Sequence, residues 1–320
     1  MEEQELSNQI LNIRFYEGCG NRLLIVHMQK DFSMLDARLR NQLQRLGLEQ
    51  KADSVLVLTG DPQQSLIQGY HVTMDVFEPR GVDIQHPKLA GSWSTMCGNG
   101  IRAVAKYLID TSNLACYIRT RSGIRITTVL PHNQFRVCMG KLTTRKEHLQ
   151  KYVRNFHFSE LIENRIRHAE VFVGLNGNPD LDGAIDGEPH MVVFLPNHQN
   201  ITLKALQKLA EKLGPAITTN REYFPECINS NFALIKTKNS KSISVLACTF
   251  ERGVEYVTQA CGTGATVIGS YLLNNNKGLE EIEVLMPGGA LYITRAPHCE
   301  FYLTGPANPV IGKRNIEAVT

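Results

Sequence analysis

The feature that most constrains this 320-residue chain is a segment that occurs twice. Residues 97–108 read Cys-Gly-Asn-Gly-Ile-Arg-Ala-Val-Ala-Lys-Tyr-Leu, and residues 261–272 read Cys-Gly-Thr-Gly-Ala-Thr-Val-Ile-Gly-Ser-Tyr-Leu. Cys97 coincides with Cys261, both glycines coincide, and Tyr107-Leu108 coincides with Tyr271-Leu272. Each string puts a thiol and two glycines where an apolar helical pattern begins. The repeat reads as an internal duplication, two half-chains of many short strands with one strongly apolar helix each. A helix that is apolar nearly all round must be covered, and a sheet curling around it is a direct way to do so.

The pattern on either side of the strings agrees. In the first half, residues 13–28 read as strand–turn–strand around Gly18-Cys19-Gly20-Asn21, and residues 36–48 have helical spacing. Strand patterns follow at 54–58, 71–77, 115–120, 124–130 and 134–139, the last closed by Gly140, with a loop at 81–91. In the second half, strands are expected at 170–174, 190–194, 231–236, 242–250, 282–286, 290–294 and 301–304, with an amphipathic helix at 203–213. The segment 149–158 follows no clear pattern.

The chemistry of the strings follows from where they sit. A helix start leaves backbone N–H groups unpaired and carries about half a positive charge, so it receives a carboxylate. Glycine lets a ligand approach the backbone, and a thiol at a helix start has its thiolate stabilised. Two such starts facing one another would clamp a carboxylate and set one sulfur on each face of the adjacent carbon. That geometry suits removal of a proton from one face and delivery to the other.

Composition excludes several alternatives. A formal net charge of +3, with no basic cluster interleaved with aromatics, gives no footprint for nucleic acid or a membrane surface. Met1-Glu2-Glu3-Gln4-Glu5 is acidic and lacks the pattern of a signal peptide, and no apolar run is long enough to span a bilayer, so a cytoplasmic protein is expected. None of the eight cysteines forms a C-x-x-C pair, and the histidines do not fall at metal-ligand spacing, so no metal site is expected. No phosphate-binding P-loop string occurs. Cys116, Cys138 and Cys248 read as small buried hydrophobes of a reducing compartment.

In this setting the chain resembles the diaminopimelate epimerase family, cofactor-independent epimerases with two catalytic cysteines. The resemblance runs in order: Gly18-Cys19-Gly20-Asn21, Met96-Cys97-Gly98-Asn99-Gly100, Gly187-Glu188-Pro189-His190, Phe224-Pro225-Glu226 with Asn229 and Asn231-Phe232, Glu251-Arg252-Gly253, Ala260-Cys261-Gly262-Thr263-Gly264, Met286-Pro287-Gly288-Gly289 and Thr304-Gly305-Pro306-Ala307. It implies an α+β fold of two pseudo-symmetric domains, each a curved antiparallel-rich sheet around a central helix, with the site in the cleft between them. Residues 1–140 plus about 300–320 would form the half carrying Cys97, and 141–299 the half carrying Cys261.

The resemblance further implies that Cys97 and Cys261 are the acid/base pair, with His190 and Glu251 tuning their pKa values. Gly98, Asn99, Gly262 and Thr263 would hold the reacting α-carboxylate through their backbone, and Asn21, Asn229, Glu251 and Arg252 would contact the substrate. No cofactor is implied. The partner would be a small amino-acid substrate, the assembly a homodimer, and the reaction LL- to meso-diaminopimelate, toward lysine and peptidoglycan precursors.

The chain departs from the family at the far end of the substrate. A family asparagine is replaced by Glu188, and an Asp-Gln pair becomes Asp53-Ser54. Another asparagine becomes Glu78 or Lys88, depending on how 77–92 is aligned. An amide donates and accepts, a carboxylate only accepts, and an ammonium only donates. A hydrogen bond to a charged group is worth about 1.5–3 kcal/mol, enough to change substrate choice tenfold or more. A second expectation therefore keeps the chemistry and changes the ligand, to an amino acid with a basic or imidazole side chain such as histidine. Two readings of other classes stand beside it: a non-catalytic ligand-binding paralogue, and a thiol-redox protein pairing Cys97 with Cys261.

Overall fold

A two-residue turn starts the architecture. Strands β1 (Ile10–Gly18) and β2 (Asn21–Met28) form an antiparallel hairpin in which Gly18 pairs with Asn21. Cys19 at φ +49° and Gly20 at φ +80° make the left-handed turn that matches the twist of the strands. The computed structural model describes residues 10–60, 69–83, 85–112, 116–163, 165–177, 187–196, 201–310 and 316–317. The acidic residues 1–5 and Ala115, first residue of one expected strand, lie outside these.

The chain forms two compact units, residues 1–137 with 305–320, and 138–304. In the first, helix α1 (Ala37–Glu49), N-capped by the Asp36 carboxylate, carries the chain from β2 to the parallel strand β3 (Ser54–Thr59). β4 (Val72–Glu78) runs antiparallel to β3, and the short β5 (Ser92–Ser94) returns along the end of β4. Helix α2 (Gly98–Ser112) leads to β6 (Cys116–Thr120), parallel to β4. β7 (Gly123–Leu130) and β8 (Gln134–Thr143) follow in antiparallel order.

The second unit repeats this plan joint for joint. β9 (Glu170–Gly177) and β10 (His190–Phe194) are antiparallel. Helix α3 (Leu203–Thr218), capped by Thr202, leads to the parallel strand β11 (Asn229–Lys238), and β12 (Ser242–Phe250) is antiparallel to β11. Helix α4 (Gly262–Asn275) leads to β13 (Glu281–Met286), parallel to β12. β14 (Gly289–Arg295) and β15 (Glu300–Pro306) close the series antiparallel. β8 pairs with β9 and with β15, so β8 through β15 form a closed eight-stranded barrel. In both units the two parallel joints are the ones bridged by a helix, as crossover geometry requires.

Each post-cysteine helix lies against the inner faces of its own strands. All of α4 is buried except Tyr271, Asn274 and Asn275. It packs against β9, β10, β11, β13 and β14. Full burial of Val267, Ile268 and Leu273 contributes about 1.5–3 kcal/mol each. In α2 the residues from Ile101 to Ala105 are fully buried, and the helix packs against β1, β2, β6 and β7. The repeated tyrosines anchor the far ends: Tyr107 Oη lies 2.9 Å from His27 Nδ1, and Tyr271 donates to Glu170 at 2.5 Å while stacking on Phe172. The α+β plan of a curved sheet around a central helix is therefore the fold.

Several elements outrun the sequence pattern. β8 continues through Gly140, at φ +81°, to Thr143, so the glycine bends the strand instead of closing it. α3 runs past 213 to Thr218 with Pro215 in its last turn, where only one ladder bond is lost. Short helical turns at Lys146–Leu149 and Phe158–Glu163 flank the patternless segment. Arg40 of α1 is completely buried and holds the 81–91 loop through Asp83 at 2.9 Å, Ala90 O at 2.7 Å and Gly91 O at 2.6 Å. No helix among the described residues is long and apolar enough to cross a membrane.

Candidate active site

In the first unit Cys97 stands at the start of α2. Its carbonyl accepts from Ile101 N at 2.9 Å, and its half-buried sulfur accepts from Gly100 N at 3.3 Å. The thiol thus takes the place of a side-chain oxygen at an N-cap, where a backbone donor favours its anionic form. A Cβ on Gly100 would meet Leu56 Cδ2 at 2.8 Å and Cys97 Cβ at 3.2 Å, so this glycine serves close packing of the helix start on β3.

The wholly buried Arg102, one turn on, organises the cradle. It donates to Asn99 Oδ1 at 2.7 Å, Gly98 O at 3.3 Å and Pro306 O at 3.2 Å, and reaches Cys19 Sγ at 3.9 Å. Burial lowers the pKa of Arg102, while the sulfurs of Cys19 and Cys97 act to raise it. Burial pushes the Cys19 thiol up, opposed by Arg102. Asn99 is buried, with its side-chain oxygen held by Arg102.

The polar residues of this unit's strand ends gather at one place. Ser54, first residue of β3, donates to both carboxylate oxygens of Glu78, the last residue of β4, at 3.2 and 3.0 Å, and Ser94 adds a bond at 3.4 Å. Glu78 is buried, whereas Lys88 is exposed on the loop. Asn21, buried, is the first residue of β2.

In the second unit Cys261 is the N-cap of α4, with its carbonyl accepting from Ala265 N at 2.9 Å. Here the sulfur lies 3.3 Å from Thr263 Oγ1, and the Cys261 N–H points to Met286 Sδ at 3.3 Å. Thr263 Oγ1 is 2.9 Å from Nε2 of the fully buried His190, whose Nδ1 is 3.1 Å from Asn231 Nδ2. Burial is the main reason the His190 pKa drops to about 3, so the imidazole is neutral near pH 7. A Cβ on Gly264 would lie 2.4 Å from Asn231 Oδ1 and 3.2 Å from His190 Nδ1, so the second glycine again admits the helix start to the barrel wall.

Glu188 and Arg252 form an ion pair at 2.8 Å. Arg252 also donates its backbone N–H to Asn229 Oδ1 at 3.0 Å and its guanidinium to Glu226 O and Cys227 O. Glu251 accepts from Thr258 Oγ1 at 2.6 Å. Thus Cys261, Thr263 and His190 are joined in one chain of contacts, and Glu188, Arg252 and Asn229 in another. Thr249, Arg102 and Ser94 also belong to these networks, and so does Asn231, which the resemblance includes without assigning it a role. The signal available for Asn231 and Thr249 was a polar residue on the inner face of an otherwise apolar strand. Among the described residues no group of three or more His, Cys, Asp or Glu is arranged to hold a metal ion.

The diaminopimelate epimerase family model matches residues 184–310. The chain is 31% identical over 228 residues to the diaminopimelate epimerase of Carboxydothermus hydrogenoformans, covering 69% of this chain and 73% of that protein. It is 28% identical over 301 residues to that of Buchnera aphidicola, covering 91% and 90%. A phenazine biosynthesis protein of the PhzF family from Bacillus anthracis superimposes with a TM-score of 0.62 at 15% identity, covering 98% of this chain and 100% of that one, a likeness of fold alone. The diaminopimelate epimerase relatives define an isomerase of the epimerase class. Within that class, the chain belongs to the diaminopimelate epimerase family.

Proposed function

We propose that this chain inverts the α-carbon of a free amino acid by two-base proton transfer, with Cys97 and Cys261 as the bases. The observation that carries this reading is their equivalence: each is the first residue before a buried helix, at the same joint of a duplicated fold, with its sulfur in contact with a hydrogen-bond donor. One cysteine, as thiolate, takes the Cα proton, and the C–H electron pair passes into the α-carboxylate as an enolate. The other, as thiol, gives its proton to the opposite face, so one proton enters and one leaves and the two sulfurs exchange roles. Backbone N–H groups of Gly98, Asn99, Gly262 and Thr263 hold the carboxylate, where developing charge is stabilised. His190 and Glu251 support the thiols, while Asn21, Asn229 and Arg252 contact the remainder of the substrate.

The relatives' name supports LL- to meso-diaminopimelate as the reaction. One observation favours a second substrate class. The Arg252 guanidinium is already neutralised by Glu188 at 2.8 Å, so a distal carboxylate meets a satisfied cation. An amino acid with a cationic or imidazole end and no second carboxylate, such as lysine, ornithine or histidine, fits that pair better. Incubation in deuterated water with each amino acid, read by loss of the Cα proton signal, tests both. Exchange is expected with diaminopimelate or with one of the basic amino acids, and to fall by orders of magnitude in Cys97→Ala and Cys261→Ala. Exchange at undiminished rate in either variant refutes the two-base mechanism. Absence of exchange with every amino acid would leave a binding or thiol-redox role.

A further inference from the structure

We propose that Thr249, Asn231, His190 and Thr263 form a hydrogen-bonded chain of fixed polarity ending on the Cys261 sulfur, in which His190 is a neutral Nε2–H donor and not the base that removes the thiol proton. The proposal rests on the reading of Cys261 as an acid/base group and adds the residues that position its charge.

The polarity starts at Asn231. Its Nδ2 lies 3.0 Å from Met191 O and 3.4 Å from Asn229 O, and its Oδ1 accepts from Thr249 Oγ1 at 2.7 Å. Turning the amide over would press its oxygen against two carbonyl oxygens, so the amide orientation is fixed. An N–H of Asn231 therefore faces His190 Nδ1 at 3.1 Å, and Nδ1 must accept. A neutral imidazole has one donor and one acceptor nitrogen, so the ring proton sits on Nε2, which donates to Thr263 Oγ1 at 2.9 Å. The threonine hydroxyl, having accepted, has its own proton to give to Cys261 Sγ at 3.3 Å.

Every link is removed from water: His190, Asn231 and Thr249 are fully buried, and Thr263 and Cys261 nearly so. The charges of Glu188 and Arg252 act on His190 in opposite directions, and the two groups pair with one another at 2.8 Å. Glu251 is engaged with Thr258. The imidazole thus keeps one protonation state while the sulfur changes its own. Donation to sulfur favours thiolate over thiol by about tenfold. Thr263, His190, Asn231 and Thr249 are positioning residues, and the side chain of Thr263 has a task separate from that of its backbone amide. The other thiol has a donor in the backbone N–H of Gly100.

The full chain labelled with 15N-histidine tests the polarity directly. In two-bond 1H–15N spectra the His190 ring, assigned by its loss in His190→Gln, should show an unprotonated Nδ1 and a protonated Nε2 in the wild type. Asn231→Asp, which replaces the amide donor by an acceptor, should reverse them. Alkylation of Cys261 by iodoacetamide, followed by mass spectrometry of its peptide across pH, should slow about tenfold near neutral pH in Thr263→Val and in Asn231→Asp, and recover in Thr263→Ser. A protonated Nδ1 in the wild type overturns the proposal, and so does a Thr263→Val profile identical to the wild type. These readouts need no substrate. Failure of Cα exchange would remove the catalytic reading while leaving the chain of donors measured, so the two failures are distinct.

Discussion

The Cys97 sulfur takes the backbone N–H of Gly100 at 3.3 Å, whereas Cys261, in the same place of the repeated fold, has no such cap and meets a threonine hydroxyl instead. The duplicated scaffold therefore supports its two thiols by different chemistry. Backbone donation depends only on the helix being formed. Side-chain donation depends on a buried polar network that single substitutions can break.

The cysteines should differ in reactivity. Cys97 is partly exposed with a donor at its sulfur. Burial pushes the thiols of Cys19 and Cys116 up and that of Cys248 up to about 12. Limited iodoacetamide at pH 8 should modify Cys97 first and leave Cys248 and Cys116 untouched in the folded protein, as read by peptide mass spectrometry. Early labelling of Cys248 would contradict the packing described.

Adding one carbon at either second glycine should be costly. Gly100→Ala would press on Leu56 and destabilise by about 1–3 kcal/mol, lowering the thermal midpoint. Gly264→Ala would drive its methyl into Asn231 Oδ1 and should cost activity as well as stability, because the Asn231–His190 contact is displaced. Unchanged melting of both variants would refute the close approach.

Breaking the Glu188–Arg252 pair should be asymmetric. Arg252→Met leaves the buried Glu188 carboxylate uncompensated and should destabilise by about 3 kcal/mol, near the low end for a buried pair because the arginine is partly exposed. Glu188→Asn frees Arg252 and restores an amide at that position. It should raise exchange with diaminopimelate relative to lysine, measured as the ratio of kcat/KM values. A ratio that does not move would remove the pair from substrate choice.

His190 gives stability a definite pH dependence. Its folded pKa is about 3, below the ordinary 6.5, so the unfolded chain binds the extra proton between those values. Stability rises with pH across this window and is lost as pH falls from 6.5 toward 3, by up to about 1.4 kcal/mol per unit. Urea midpoints measured from pH 7 to 4 should fall less steeply in His190→Gln than in the wild type. Equal slopes would assign the loss to other groups.

Much of this was legible in the chain itself. The two Cys-Gly-x-Gly strings begin the two central helices, and the repeated Tyr107 and Tyr271 anchor those helices by their hydroxyls. What stayed hidden depends on pairing across space. Whether Glu78 or Lys88 lies beside Ser54 depends on the antiparallel register of β3 with β4, in which Val55 faces Phe77. Arg40 looks like an exposed charge on an amphipathic helix until the 81–91 loop folds over it. Asn231 and Thr249 are directly opposite one another on β11 and β12, a relation with no trace in sequence separation. Gly140 reads as a stop and is a bend, because a glycine at positive φ can sit within a paired strand.

The unequal support of the two sulfurs has a kinetic corollary. A catalyst cannot move the ratio of its substrate's stereoisomers at equilibrium, so the ratio of forward to reverse kcat/KM is fixed by the ligands alone. If the backbone-capped and hydroxyl-supported thiols differ in basicity, the two directions can turn over at different maximal rates only where the Michaelis constants differ to match. Such a protein would be fast in one direction and saturate early in the other, a handedness written into rates and absent from the end point.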